Sequence, residues 1–91
     1  MKRKGMYIMK RFYYAYQCRF PDGKECSGTN YYTSDQNLLK QINQFGGAYH
    51  SEHGGYSRVT VIQLCETKRE ADTTAYIWNQ TFKENGTLAF T

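Results

Sequence analysis

The sequence has no long apolar run, one proline and three cysteines among 91 residues. No apolar run approaches the roughly 20 residues that a membrane-spanning helix needs, and no apolar segment typical of a secretory signal follows the basic start. We therefore expect a soluble protein that stays in the cytoplasm and has no membrane partner. An odd number of cysteines argues against a disulfide framework and suits a reducing compartment.

Recognisable catalytic and cofactor motifs are also missing. The chain has no Gly-x-Ser-x-Gly and no close pair of carboxylates, and its glycine pairs match neither Gly-x-Gly-x-x-Gly nor Gly-Lys-Ser/Thr. A nucleophilic pair of Cys65 with His50 or His53 would depend on the fold to join them. We therefore expect no enzymatic activity, no catalytic residue and no cofactor.

The positive charge is concentrated at the start of the chain. The whole sequence has a net charge of +4, but residues 1–24 carry seven basic side chains and one acidic one, a net charge of +6. Such an asymmetry indicates an acidic partner. The length is that of a single domain over residues 1–91. Residues 1–5 are expected to form a flexible basic tail, and Met6 and Met9 are alternative starts to Met1.

Residues 12–32 are predicted to form an aromatic β-hairpin. The even positions from Phe12 to Phe20 are all aromatic or cysteine, and Pro21-Asp22-Gly23 suits a three-residue loop with glycine in the left-handed position. This loop pairs Phe20 with Lys24. Because side chains alternate between the two faces of a strand, we expect Tyr16 and Phe20 to be core residues and Gln17 and Arg19 to face solvent. The register then predicts the pairs Arg19 with Glu25, Cys18 with Cys26, Tyr16 with Gly28, and Tyr13 with Tyr31.

The pairing of Cys18 with Cys26 has more than one interpretation. It is compatible with a redox pair or half of a metal site. Two small buried thiols on neighbouring strands are the commoner arrangement, and the one that we expect.

Two helices and a third strand are expected after the hairpin. Thr33 and Gln36 have capping-box spacing and precede an apolar stripe, and Gly46-Gly47 would end that helix. Residues 58–65 are rich in β-branched side chains with apolar residues on both faces, which predicts a central strand. A second capping box at residues 67–70 favours a helix over 70–85, although Asn85-Gly86 would equally close a hairpin onto residues 87–91. The predicted fold is a small α+β domain of order β-β-α-β-α, with a mostly antiparallel sheet and helices on one face.

The segment 46–57 is the one long loop of the sequence, and such loops often carry function. His50 and His53 could be two zinc ligands completed by Glu52 or a cysteine. Because no fourth ligand is evident, metal binding is only a minor alternative and no metal ligand is assigned.

The predicted function is that of a non-enzymatic protein-binding module. Tyrosines would serve as anchors and basic residues as the rim of a surface for an acidic protein partner, as in small regulators or inhibitors encoded by phages and mobile elements. The alternative is a nucleic-acid-binding domain that uses the same basic, aromatic surface. The oligomeric state is left open. The predicted binding residues are Lys10, Arg11, Tyr13, Arg19, Tyr31, Tyr49, His50, His53 and Tyr56.

Overall fold

Three strands and two helices make up the computed structural model, which describes residues 10–45 and 57–89. The predicted α+β class and the order β-β-α-β-α are confirmed. The predicted basic tail, the alternative starts and Gly46-Gly47 lie outside the described residues. The elements are β1 (Phe12–Arg19), β2 (Glu25–Tyr32), α1 (Asp35–Phe45), β3 (Arg58–Cys65) and α2 (Lys68–Glu84).

The hairpin forms in the predicted register. Gly23 adopts a positive φ of 87°, the Phe20 amide donates to the Lys24 carbonyl at 2.9 Å, and the Asp22 carboxylate accepts from the Lys24 amide at 2.9 Å. All four predicted cross-strand pairs are present. The Tyr16 ring lies across Gly28, where a side chain would come within 2.7 Å of the tyrosine Cζ. The turn residues therefore determine the pairing along both strands.

The position predicted for the third strand is wrong. The sheet order is β2-β1-β3, all antiparallel, so β1 is central and β3 lies at an edge. Tyr14 and Ala15, neighbours on β1, are both completely buried, whereas Val61 and Leu64 on β3 are 40% and 58% exposed. A high content of β-branched residues favours a strand but does not determine which strand is covered on both faces.

The helices contact opposite faces of the sheet, which corrects the prediction that both lie on one face. The Tyr14 hydroxyl donates to Gln41 of α1 at 2.5 Å, while Asp72 of α2 accepts from Thr29, the partner of Ala15. Tyr14 and Ala15 are consecutive, so their side chains point to opposite faces. The face predicted to be wet is therefore the one on which α2 packs, because the small Ala15 allows a helix to approach.

Burial follows from this two-sided arrangement. Phe20 is 2% exposed, as predicted for a core residue. Tyr16 is only half-buried, because its ring lies over Gly28 of the edge strand β2. Gln17 is half-buried on the α2 face rather than facing solvent, and Arg19 is exposed as predicted.

Capping side chains determine where the two helices begin. Thr67 caps α2 by accepting from the Glu70 amide at 3.1 Å, and Glu70 accepts from the amide of Glu66 at 2.8 Å. The capping box thus produces the helix rather than the alternative hairpin. The α1 cap is shifted by one residue from the prediction, since Ser34 accepts from the Asn37 amide at 3.1 Å. Within the described ranges, neither helix has the length and apolarity to cross a membrane.

Candidate partner-binding surface

Four of the predicted binding residues meet where β1 begins and β2 ends. The guanidinium carbon of Arg11 lies 4.5 Å from the centre of the Tyr31 ring, and the ammonium of Lys10 lies 5.2 Å from the centre of the Phe12 ring. Both distances are those of cation–π contacts. Tyr13 is directly opposite Tyr31. These five residues, Lys10, Arg11, Phe12, Tyr13 and Tyr31, are called the open-end patch below.

Strand alternation divides the open-end patch between the two faces of the sheet. Arg11, Tyr13 and Tyr31 belong to the face that carries α2, and Lys10 and Phe12 belong to the opposite face. Tyr31 is 41% exposed and Phe12 is 38% exposed. The patch therefore presents two partly exposed aromatic rings, Phe12 and Tyr31, each with a cation over it and one on each side of this end of the sheet.

Neighbouring side chains hold the open-end patch in place. The Phe12 ring stacks on Tyr32 with ring centres 5.4 Å apart, and Tyr32 in turn contacts Tyr14. Gln41 of α1 donates to the Tyr31 carbonyl at 2.9 Å while it accepts from the Tyr14 hydroxyl. One side chain thus ties the end of β2 to the centre of the sheet, so the aromatic rings are positioned before any partner arrives.

Tyr14 supports the patch without belonging to it. Burial, with a smaller contribution from the neighbouring Tyr16, raises the pKa of Tyr14 to about 12. The hydroxyl is therefore protonated at neutral pH and able to donate to Gln41.

Arg19 does not join the open-end patch. It is at the other end of β1, seven residues and about 23 Å from Phe12 at the usual strand rise, where it pairs with Glu25 at 3.3 Å. Arg19 lies directly opposite Arg58 of β3, and the two arginines line a surface cleft of about 500 Å³ together with Pro21. The structure thus divides the predicted surface into two separate basic regions.

The other predicted binding residues, Tyr49, His50, His53 and Tyr56, lie outside the described residues. In the ranges that the structure does describe, no three His, Cys, Asp or Glu side chains come close enough together to hold a metal ion.

The predicted cysteine pair is present as two free thiols on neighbouring strands. A hydrogen bond from Cys26 lowers the pKa of Cys18, and the same contact raises the pKa of Cys26. Cys18 is only 5% exposed. The arrangement is that of a small packed pair on the face opposite α2.

Sequence reasoning missed several exposed apolar residues. Phe12 lies on the same aromatic, even-numbered face as the core residue Phe20, yet it is the first residue of β1 and is 38% exposed. Tyr76 and Ile77 are 63% and 55% exposed; both fall outside the helical stripe that contains the buried Ala71 and Ala75, so helical spacing identifies them. No comparable signal in the sequence marks the exposed residues of β3.

No protein-family model, curated protein or solved structure matches the chain. The function is therefore inferred from the chemistry of the site itself.

Proposed function

We propose that this chain is a non-enzymatic protein-binding module whose open-end patch binds an acidic surface of a partner protein. The observation that supports the proposal is the contact of Arg11 with Tyr31 and of Lys10 with Phe12. Aromatic anchors combined with positive charge are typical of protein interfaces, where arginine and tyrosine contribute much of the binding energy. Because the Phe12 ring already stacks on Tyr32 and Gln41 holds the Tyr31 backbone, little conformational entropy is lost on binding.

The occupied ring faces favour a protein partner over single-stranded nucleic acid. Proteins that bind single strands stack bases on open aromatic faces. Here Arg11 covers a face of Tyr31, and Phe12 is contacted by both Lys10 and Tyr32. A carboxylate of a partner protein can reach the cations from their exposed side without displacing them from the rings.

As part of this proposal, the module acts as a regulator or inhibitor of the kind that phages and mobile elements encode. A small domain of this type would act by occupying a surface of its partner. The odd number of cysteines, three in the sequence, suits a reducing compartment better than a disulfide framework, so the proposal includes a cytoplasmic location.

A second candidate function is the binding of nucleic acid through the basic region at the turn end of the sheet. Arg19 and Arg58 are directly opposite each other across β1 and β3. Two adjacent guanidinium groups suit a phosphate, which they contact without reading sequence. This candidate uses the end of the sheet remote from the open-end patch, so the two functions can be tested separately.

The experiment for the main proposal starts with selection of binders from a random peptide display library on the immobilised protein. We expect the selected peptides to be rich in Asp and Glu next to apolar residues. Their binding kinetics are then measured on K10E/R11E and on Y31A. The charge reversal should lower the association rate about 10-fold and weaken its salt dependence, whereas Y31A should mainly raise the dissociation rate.

The matched control is K40E/R69E, which changes the net charge by the same amount at two exposed helical residues outside the patch. This control should bind like the parent. If K10E/R11E and Y31A also bind like the parent, the open-end patch is not the binding surface. The second candidate would instead gain support from a short oligonucleotide whose affinity falls steeply between about 50 and 200 mM salt and is lost in R19E/R58E.

A further inference from the structure

Cys18 and Cys26 are directly opposite each other on neighbouring antiparallel strands. Their side chains therefore point to the same face of the sheet, the one opposite α2. The backbone groups of Glu25 bond outward to the segment 87–89, and those of Ser27 bond outward to a side chain of α2. Cys26 lies between these two residues, so its own backbone groups point inward and bond to those of Cys18. The two cysteines thus occupy a hydrogen-bonded pair of the hairpin.

This position brings the two thiols within reach of a disulfide, but not into its relaxed geometry. Residues of a hydrogen-bonded pair have Cα atoms about 5.5 Å apart, within the range of about 4.4–6.8 Å found for disulfides. Their Cβ atoms are farther apart than in the other type of cross-strand pair, whereas a disulfide needs Cβ atoms about 3.5–4.5 Å apart. A bond between Cys18 and Cys26 would therefore be strained, and strained disulfides are reduced more readily.

The two thiols differ in their surroundings. The sulfur of Cys18 accepts hydrogen bonds from the Cys26 thiol and from the Ser57 hydroxyl, and these donors stabilise the thiolate and lower the pKa of Cys18. The same contact keeps the proton on Cys26 and raises its pKa. Cys18 and Ser57 are buried, whereas Cys26 is half-buried on the outer strand. Cys18 is therefore suited to be the nucleophile of the pair, with Cys26 as the second thiol that reacts with it.

We propose that Cys18 and Cys26 form a reversible disulfide when the protein meets a hydroperoxide. Disulfides that form transiently in a reducing compartment are usually catalytic or redox-sensing. Hydrogen peroxide is close in size to water, so it can reach a sulfur that is closed to bulkier reagents. Free thiols such as glutathione then return the strained bond to the dithiol form, which is the resting state of the protein.

The oxidation balances in two steps. The Cys18 thiolate attacks one oxygen of the hydroperoxide, so that an S–O bond forms, the O–O bond breaks, and the leaving oxygen takes up a proton. The product is an alcohol, or water when the oxidant is hydrogen peroxide. The Cys26 sulfur then attacks the sulfenic sulfur of Cys18, so that the S–S bond forms, the S–O bond breaks, and hydroxide leaves as water with the Cys26 proton. The two sulfurs together lose two electrons, which the peroxide oxygens gain.

Cys65 provides a contrast within the same chain. It pairs with Tyr13, which is five residues and about 16 Å from Cys18 along β1 at the usual strand rise, and it lies on the other face of the sheet. Its thiol donates to the Gln63 carbonyl at 3.6 Å. A disulfide needs Cα atoms within about 7 Å of each other, so Cys65 cannot join the pair.

The test is mass spectrometry of the full chain before and after treatment with hydrogen peroxide. We expect one equivalent of peroxide to remove about 2 Da, the two thiol hydrogens. Trypsin cuts after Arg19 and Lys24, so residues 12–19 and 25–40 should then stay joined until a reductant is added. Excess reduced glutathione should restore both thiols. The matched control C65S should give the same mass change and the same joined peptides.

Two further variants separate the roles of the thiols. In C26S, Cys18 should gain oxygen, because a sulfenic acid forms and no second thiol removes it. In C18S, Cys26 should react about 10-fold more slowly than Cys18 does in C26S. Free thiols that persist after peroxide, a link through Cys65, or a reaction in C18S as fast as in C26S would each overturn the proposal. The readout is the mass of the chain alone, so the result is independent of what binds the open-end patch.

Discussion

Replacing Tyr14 by Phe should change how the stability of the protein depends on alkaline pH. Tyr14 is completely buried and its pKa is raised from 10.0 to about 12 in the folded state. The neutral hydroxyl is therefore preferred by the folded protein, and its contribution to stability is fully present below about pH 10 and is lost as the pH rises from 10 toward 12.

The size of the effect follows from these two pKa values. The difference between the unfolded and folded pKa of Tyr14 corresponds to about 2.7 kcal/mol of the free energy of unfolding, of which about 1.4 kcal/mol is lost by pH 11. At neutral pH, Tyr14→Phe should itself cost about 1 kcal/mol, because Gln41 loses its hydrogen-bond donor. Between about pH 8 and pH 11, the parent should then lose about 1.4 kcal/mol more free energy of unfolding than the variant does.

Urea unfolding at the two pH values measures both effects. The matched control is Tyr76→Phe, which removes the same hydroxyl from a ring that is 63% exposed. Its free energy of unfolding should differ from that of the parent by the same amount at both pH values. If the parent and Tyr14→Phe lose equal stability between pH 8 and pH 11, the burial of a neutral Tyr14 is not a source of stability, and the reasoning is wrong.

Three other predictions concern the core, the β2 edge and the cysteines. Phe20→Ala should lower the free energy of unfolding by about 3–5 kcal/mol because the ring is 2% exposed, whereas Arg19→Ala should cost less than about 1 kcal/mol; equal losses in urea unfolding would contradict this burial pattern. Asn79→Ala should lower the free energy of unfolding by about 1–3 kcal/mol, since two backbone groups of Ser27 lose their partner. An unchanged melting temperature in calorimetry would contradict this prediction and would mean that water replaces the Asn79 amide. The melting temperature should stay the same in chelator and reducing agent, and a collapse in chelator together with bound zinc found by elemental analysis would show a metal site after all.

The hairpin and the second helix could be predicted because their signals are local. Pro21-Asp22-Gly23 allows one tight loop, and every pair from Arg19–Glu25 to Tyr13–Tyr31 follows from it. The capping box of Thr67 and Glu70 likewise determines where α2 begins. In both segments, residues a few positions apart make the decisive hydrogen bonds, so the sequence pattern contains the necessary information.

The candidate surface was predicted less completely than the fold. Lys10, Arg11, Tyr13 and Tyr31 were identified from charge and strand alternation, and the structure places them together. Arg19 was assigned to the same surface because it lies on the same strand, yet a strand of eight residues separates its ends by more than about 20 Å. Residues of one strand can therefore be close in sequence and still too far apart in space to share a binding surface, as Arg19 and Arg11 are.

Turn geometry, capping and periodicity act over short distances, so they were enough to predict the elements, their order and the pairing of β1 with β2. The central position of β1, the edge position of β3 and the helices on opposite faces depend instead on packing between distant segments. These outcomes depend on which side chains allow close approach from both sides: Ala15 admits α2 on one face, and Tyr14 reaches Gln41 on the other. Which strand is covered by neighbours on both sides depends on the packing of the whole chain, and no single segment contains that information.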